Sequence, residues 1–209
     1  TLLRALVGLL RPHAGDVTLA GRPVARTPVE ELARDVAYLP QTADSILFRD
    51  SVTDEIAFTL RGRGRTPDPG PTLDAFGLRS LAGRAPRDLS AGQRLRVALA
   101  AVLAGDPRVV LLDEPTRGMD YVGKDDLVAR MARWRDEGRA VVLVTHDVEL
   151  VAQCATRVAM MAEGEIVVDG AVREVLGSSA LFSSQMNKTF DEPSLLTVDD
   201  VLRALGRIA

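Results

Sequence analysis

The chain has 209 residues, 46% hydrophobic and 26% charged, with a formal net charge of −3. These proportions allow one large packed domain or a lobed one and exclude a disordered or collagen-like chain. No basic run outlasts the interleaved Arg61, Arg63 and Arg65, which read as a solvated loop, and no apolar run outlasts Val97 to Ala104, so neither a chain organised around nucleic acid nor a membrane span is indicated.

Residues 1 to 10 read as a helix already under way, without an N-cap of its own and without a secretory pattern. Asp16 to Ala20 and Pro23 to Val24 flank Gly21 as a short strand pair. Thr27-Pro28-Val29-Glu30 predicts a capped helix to about Arg34, and Val36 to Pro40 a buried strand ending at proline. From residue 42 to about 105 the pattern is mostly helical, with a helix from Val52 to Leu60 and a Gly/Pro/Arg-rich loop from Gly62 to Pro71. Apolar runs at Val109 to Leu112 and Ala140 to Val144, separated by a helix from Lys124 to Glu137, predict a parallel sheet covered on both faces. Arg157 to Met161 and Glu165 to Asp169 are expected to close that sheet around Glu163-Gly164. Short helices follow from Val172, the last entered at Thr197-Val198-Asp199-Asp200. Cys154, the one cysteine, sits among Val151, Ala152 and Ala155. It reads as a small buried side chain in a reducing, cytoplasmic setting.

Three features carry chemistry. Asp113 and Glu114 end an apolar strand, where open α/β sheets bind ligands; one carboxylate there can hold Mg²⁺ and the other can orient or deprotonate an attacking water. Acidic residues that merely end a strand at the surface give the same string. Ser90 and Gln93 form a capping box around Ala91 and Gly92, which needs no ligand, yet a helix start with free N–H groups and a glycine is also a phosphate site. His146 follows the next apolar strand, where a histidine can equally be a hydrogen-bonding residue of the scaffold.

Taken in order, Gln41 after a strand, Leu89-Ser90-Ala91-Gly92-Gln93 opening a helix, Val109 to Asp113, Glu114, Asp120 and His146 resemble the nucleotide-binding domain of ABC transporters across nearly the whole chain. The resemblance implies a P-loop NTPase (RecA-like) α/β fold with a mostly parallel sheet. It places the ATPase core at residues 1–41 and 106–170, an inserted helical signature subdomain at 42–105, and a helical tail at 171–209. It implies ATP and Mg²⁺ as cofactors, catalytic roles for Glu114, His146 and Gln41, and metal contacts from Asp113 and Gln41. Nucleotide contacts would come from Thr1, Ser90, Ala91, Gly92, Gln93 and Asp120. Ala91 stands where the family's signature has a glycine, one methyl more beside the phosphate.

Thr1-Leu2-Leu3-Arg4-Ala5-Leu6 resembles the stretch that continues from Gly-Lys-Ser in the family's phosphate loop, with Thr1 as the loop's last residue. On that reading the loop's glycines, lysine and metal-binding hydroxyl precede the chain, which alone is expected to bind MgATP weakly or not at all. Pro40-Gln41, Asp44, Leu47-Phe48, Glu55-Ile56-Ala57-Phe58 and Thr116-Arg117-Gly118-Met119-Asp120-Tyr121 resemble the ATPases of energy-coupling factor importers of vitamins and metal ions. Arg173-Glu174-Val175-Leu176, Leu181-Phe182 and Leu196-Thr197-Val198 resemble the second half of tandem-fused versions. The implied partners are a second ATP-binding subunit in a head-to-tail dimer and an integral membrane subunit whose coupling helix faces Gln41 and Leu47 to Phe58; no nucleic acid is implied. The implied location is the cytoplasmic face of the membrane. Two other functions are open to the same motifs. One is a non-transport ABC ATPase of DNA repair or translation, against which the lack of long heptads and basic arms counts. The other is a non-catalytic half supplying only its signature, against which Glu114 and His146 count.

Overall fold

The computed structural model describes residues 1–178 and 183–208. The chain divides into a first unit, residues 1–123 with 133–144, and a second, residues 124–132 with 145–209.

In the first unit, α1 (Leu2–Leu6) is shorter than its apolar run suggests. Leu9 donates to the Arg4 carbonyl and Gly8, at φ +75°, to that of Ala5, a Schellman ending. A side chain at Gly8 would stand 3.2 Å from Leu32 Cδ1, so close packing as well as backbone demands glycine there. The short strands β1 (Thr18–Leu19) and β2 (Arg22–Pro23) are joined through Ala20 and Gly21, both at positive φ, the two-residue hairpin turn that matches strand twist. The next helix, α2 (Val29–Asp35), begins at Pro28 without the capping box expected at Thr27. The Thr27 hydroxyl instead donates backwards to the Pro23 carbonyl at 2.9 Å, and the helix starts one residue later, without a side-chain cap.

A parallel three-stranded sheet forms the centre of this unit, β3 (Val36–Leu39) and β5 (Ala140–Val144) flanking β4 (Val109–Asp113). The central strand is buried at Val110, Leu111 and Leu112, and Leu3 of α1 and Val7 just past its end pack on Val36 and Leu111. The edge strand β5 departs from the expected burial on both faces: Ala140, Val142 and Val144 share an exposed face, so an apolar run did not imply double cover.

Between β3 and β4 only helices occur among the described residues. The helix α3 (Val52–Gly62) starts at Ser51, whose side chain accepts from the Asp54 N–H, and buries Val52, Ile56 and Leu60 at four-residue spacing. After α4 (Gly70–Ala75), α5 (Ala91–Leu103) packs on α3 and β3. Arg63 corrects the reading of its arginine run as solvated: its Nη2 donates to the Val36 and Val102 carbonyls at 3.1 and 2.9 Å. Burial of that guanidinium lowers its pKa to about 10.

The helix α6 (Tyr121–Asp136) passes through both units and is entered at Asp120, whose side chain accepts from the Gly123 N–H. In the second unit, α7 (Val148–Cys154) precedes β6 (Arg157–Ala162) and β7 (Glu165–Ala171). These strands pair antiparallel in a sheet of their own and do not extend the parallel one as expected. Glu163 and Gly164, at φ +53° and +88°, fold the chain straight back, so β6 finds its hydrogen-bonding partner in the adjacent strand. The tail holds α8 (Val172–Gly177), α9 (Gln185–Phe190) and α10 (Val198–Ala204), the last with the expected capping box of Thr197 and Asp200. Leu181 and Phe182 lie outside the described residues. Burial pushes the Cys154 thiol up to about 11, in keeping with an inert side chain. Among the described residues no helix is long and apolar enough to cross a membrane.

Candidate functional site

The carboxyl edge of the parallel sheet gathers the first set of predicted residues. The register Leu39↔Leu112 of β3 and β4, continued past Pro40, brings Gln41 to the same edge as Asp113 and Glu114. Gln41 is exposed there, while Asp113 and Glu114 are half-buried. Asp113 pairs with Val144 of β5 across the ladder, and Glu114, one step on, donates its N–H to the Val144 carbonyl at 2.8 Å. Glu114 adopts φ +50°, a left-handed conformation that costs a side-chain-bearing residue about 1–2 kcal/mol. Strain of this kind collects where surrounding structure over-determines a functional position.

The chain then turns twice within a few residues. Arg117 donates to the Glu114 carbonyl and Met119 to that of Thr116, with Gly118 at φ +77°. Thr116 is buried beneath these turns, and the segment arrives at Asp120, the N-cap of α6. Asp120 therefore has a structural task in this chain, with its Oδ1 2.8 Å from the Gly123 nitrogen.

Tyr38 belongs to this edge and was missed by the motifs. It pairs with Leu111, which shares a face of β4 with Asp113, and its hydroxyl lies near the Asp113 carboxylate. Burial and then the nearby Asp113 carboxylate raise the Tyr38 pKa, while Arg4 of α1 opposes the rise. Arg4 thus places a positive charge near the edge. The available signal was one hydroxyl in the otherwise apolar Val-Ala-Tyr-Leu strand.

The Ser90 region forms a second exposed feature of the first unit. Gln93 donates its backbone N–H to Ser90 Oγ at 3.3 Å, and Ser90 its own N–H to Gln93 Oε1 at 3.0 Å, the reciprocal capping box. Leu89 is buried before it, while Ser90, Ala91 and Gly92 are exposed. Arg94 ties this helix start to the segment after Gln41, with Nε on Asp44 Oδ1 at 2.9 Å and Nη1 on the Leu89 carbonyl at 2.5 Å. Thr1 is exposed at the start of α1, where its carbonyl accepts from Ala5 and its side chain makes no capping bond.

His146 belongs to the second unit. It is exposed between Thr145 and Asp147, and Asp147 caps α7 by accepting from the Leu150 N–H at 3.1 Å.

Residues 1–117 match the ABC transporter family. The chain is 43% identical over 207 residues to a protein of Streptomyces avermitilis that carries the name ABC transporter ATP-binding protein, covering 99% of this chain and 37% of that one. A relative of the same description from Pyrococcus horikoshii is 37% identical over 179 residues, 83% of this chain and 69% of its own. Among solved structures, CbiO1 of Clostridium perfringens, part of the ABC transporter complex CbiONQ, superposes with a TM-score of 0.71. It is 28% identical, and the match covers 85% of this chain and 74% of that one. The parallel α/β sheet and these likenesses agree: the chain belongs to the ABC transporter ATP-binding family, with its P-loop NTPase α/β fold.

Proposed function

We propose that this chain is part of an ATP-hydrolysing subunit that drives an ABC importer of the energy-coupling factor class. The observation that carries the reading is the backbone of Glu114, held in a left-handed turn beside Asp113 and hydrogen-bonded to Val144. Such a turn holds a carboxylate at the strand's end, where it can orient water for attack on a γ-phosphate.

The donor set suits Mg²⁺ bound together with ATP. Among the described residues no group of three or more His, Cys, Asp or Glu is arranged around a common point. An ion held mostly by phosphates and water asks only one or two protein groups, and Asp113 with Gln41 would supply them. Mg²⁺, when bound, neutralises charge on the phosphates. Tyr38 lies beside the Asp113 carboxylate. His146 would contact the γ-phosphate, and Thr1 and Asp120 would border the nucleotide.

Ser90, Ala91, Gly92 and Gln93 would complete the site of a second ATP-binding subunit, head to tail. Gly92 supports this: a side chain built there meets nothing within 4 Å, so packing within the described chain does not call for glycine. Close approach from outside would.

Phe48, Arg49 and Phe58 form the surface proposed for the membrane subunit. The two rings meet edge to face at 5.2 Å, and the Arg49 guanidinium lies 4.9 Å from the Phe48 ring and 3.9 Å from that of Phe58. Phe48 is 61% exposed, and Phe58 borders an apolar groove of about 370 Å³ lined also by Val7, Leu9, Val29 and Leu32. Exposed aromatics beside an apolar groove suit a short helix of an integral membrane partner. Docked there, the protein would sit on the cytoplasmic face of the membrane. The Asp44 to Arg94 bond links the segment after Gln41 to the signature helix, a route between this surface and the nucleotide. CbiO1, a relative within an ABC transporter complex, and the local likeness around Gln41 and Asp120 favour the importer class.

The test is purification, from its own membranes, of the protein that contains this chain. ATP turnover abolished by Glu114→Gln, a co-purifying integral membrane protein and ATP-dependent uptake of a labelled vitamin or metal ion support the reading. Unchanged turnover in Glu114→Gln, or nucleic acid in place of the membrane protein, would sink it.

A further inference from the structure

We infer that Lys124 is a positioning residue for His146, acting through Asp147. The role of His146 rests on the function proposed above, whereas the geometry stands without it.

Lys124 lies one turn into α6, and its Nζ is 2.5 Å from Asp147 Oδ2. Asp147 has two further commitments. Its Oδ1 accepts the Leu150 N–H at 3.1 Å, and its own N–H donates to the Thr145 hydroxyl at 3.1 Å. His146 is therefore bracketed by a hydroxyl held on one side and a carboxylate held on the other. Its backbone cannot rotate without loosening the Thr145 bond, the cap or the ion pair.

A helix cap alone does not account for this. Capping α7 occupies one carboxylate oxygen and leaves the other to solvent, where it could swing about the Cβ–Cγ bond. Lys124 fixes the second oxygen. The pair is partly shielded, with side chains 33% and 20% exposed, so solvent weakens it less than a fully exposed pair. Burial alone would raise the Asp147 pKa, but the bonds from Lys124 and Leu150 outweigh it and hold the carboxyl below its ordinary value. The lysine stands on the helix that Asp120 caps.

The chain has two histidines, His13 and His146, which makes their ring signals easy to assign with a His13→Asn variant. Long-range proton–nitrogen spectra of the 209-residue chain report the tautomer and setting of each imidazole. In Lys124→Met the His146 signals are expected to shift and broaden while those of His13 stay, with exchange of the Asp147 amide about threefold faster. Lys124→Arg restores both. Asp147→Asn, which keeps an oxygen for the Leu150 cap, is expected to disturb His146 as Lys124→Met does, even if the latter folds poorly. His146 signals that remain unchanged in Asp147→Asn overturn the inference, as does a disturbance in Lys124→Met that Lys124→Arg does not reverse. These signals need no nucleotide, so absence of ATP turnover would remove the role of His146 and leave the clamp itself untouched.

Discussion

Glu114 donates its N–H to the Val144 carbonyl at 2.8 Å while its own φ stands at +50°. One hydrogen bond thus pins a strained residue to the neighbouring strand. A non-glycine residue in this region carries a cost that glycine does not. Comparison of Glu114→Gly with Glu114→Ala isolates it, because both lack the carboxylate. The glycine variant should be more stable by about 1 kcal/mol in urea unfolding. Equal midpoints would show that the turn relaxes and that the conformation is not imposed by the fold.

Gly92 makes the opposite case, a glycine in ordinary helical backbone with open space at its missing side chain. Alanine is the better helix former by up to about 1 kcal/mol, less in a first turn than in a helix interior. Gly92→Ala should leave the chain as stable or slightly more so. On the function proposed above it should abolish ATP-dependent pairing with a second ATP-binding subunit. Sedimentation with and without MgATP decides the matter; pairing that survives the substitution removes Gly92 from the partner's nucleotide site.

Glu55 is 2% exposed, and its Oε2 alone accepts both the Phe48 and Arg49 N–H groups, at 2.9 and 2.8 Å. Glu55→Ala strands two backbone donors and should cost about 3 kcal/mol, whereas Glu55→Gln keeps one oxygen for both and should cost about half as much. Urea unfolding of the three proteins tests this. Equal losses for alanine and glutamine would mean that the carboxylate charge, rather than its oxygen, secures the Phe48–Arg49 surface.

What the sequence revealed and what it concealed divide by range. The capping boxes at Ser90 and Thr197 were legible because both partners lie three residues apart, within one helical turn. The strands ending at Pro40 and Asp113 were legible from apolar runs closed by a polar or proline residue. At Thr27 the local pattern did not form, because the helix starts one residue later, at Pro28. Tyr38 beside Asp113 depends on the β3–β4 register, Arg63 on three elements meeting, and Lys124 with Asp147 on a contact across 23 positions, none of which periodicity encodes. The separate β6–β7 ribbon was misassigned for a related reason. Strand pattern marks a strand but not its neighbour.

Asp200 allows a prediction in pH. Its carboxylate takes ion pairs from Arg173 at 2.8 Å and Arg203 at 3.2 Å, and accepts from the N–H groups of Leu196 and Thr197. Burial alone would raise its pKa, but the bonds from Arg173 and Thr197 outweigh that and leave it below the ordinary carboxylate value. A depressed carboxyl contributes stability that is present above the unfolded value of about 3.9 and is lost as pH falls through the folded one. Wild type should therefore exceed Asp200→Asn in protection of the buried Leu196 amide at neutral pH, and the gap should close in acid, where the protonated carboxyl behaves much like the amide. Hydrogen exchange across that range is the measurement. A gap of constant size down to the lowest pH at which the chain stays folded would show that shape, not charge, is what Asp200 supplies to the tail.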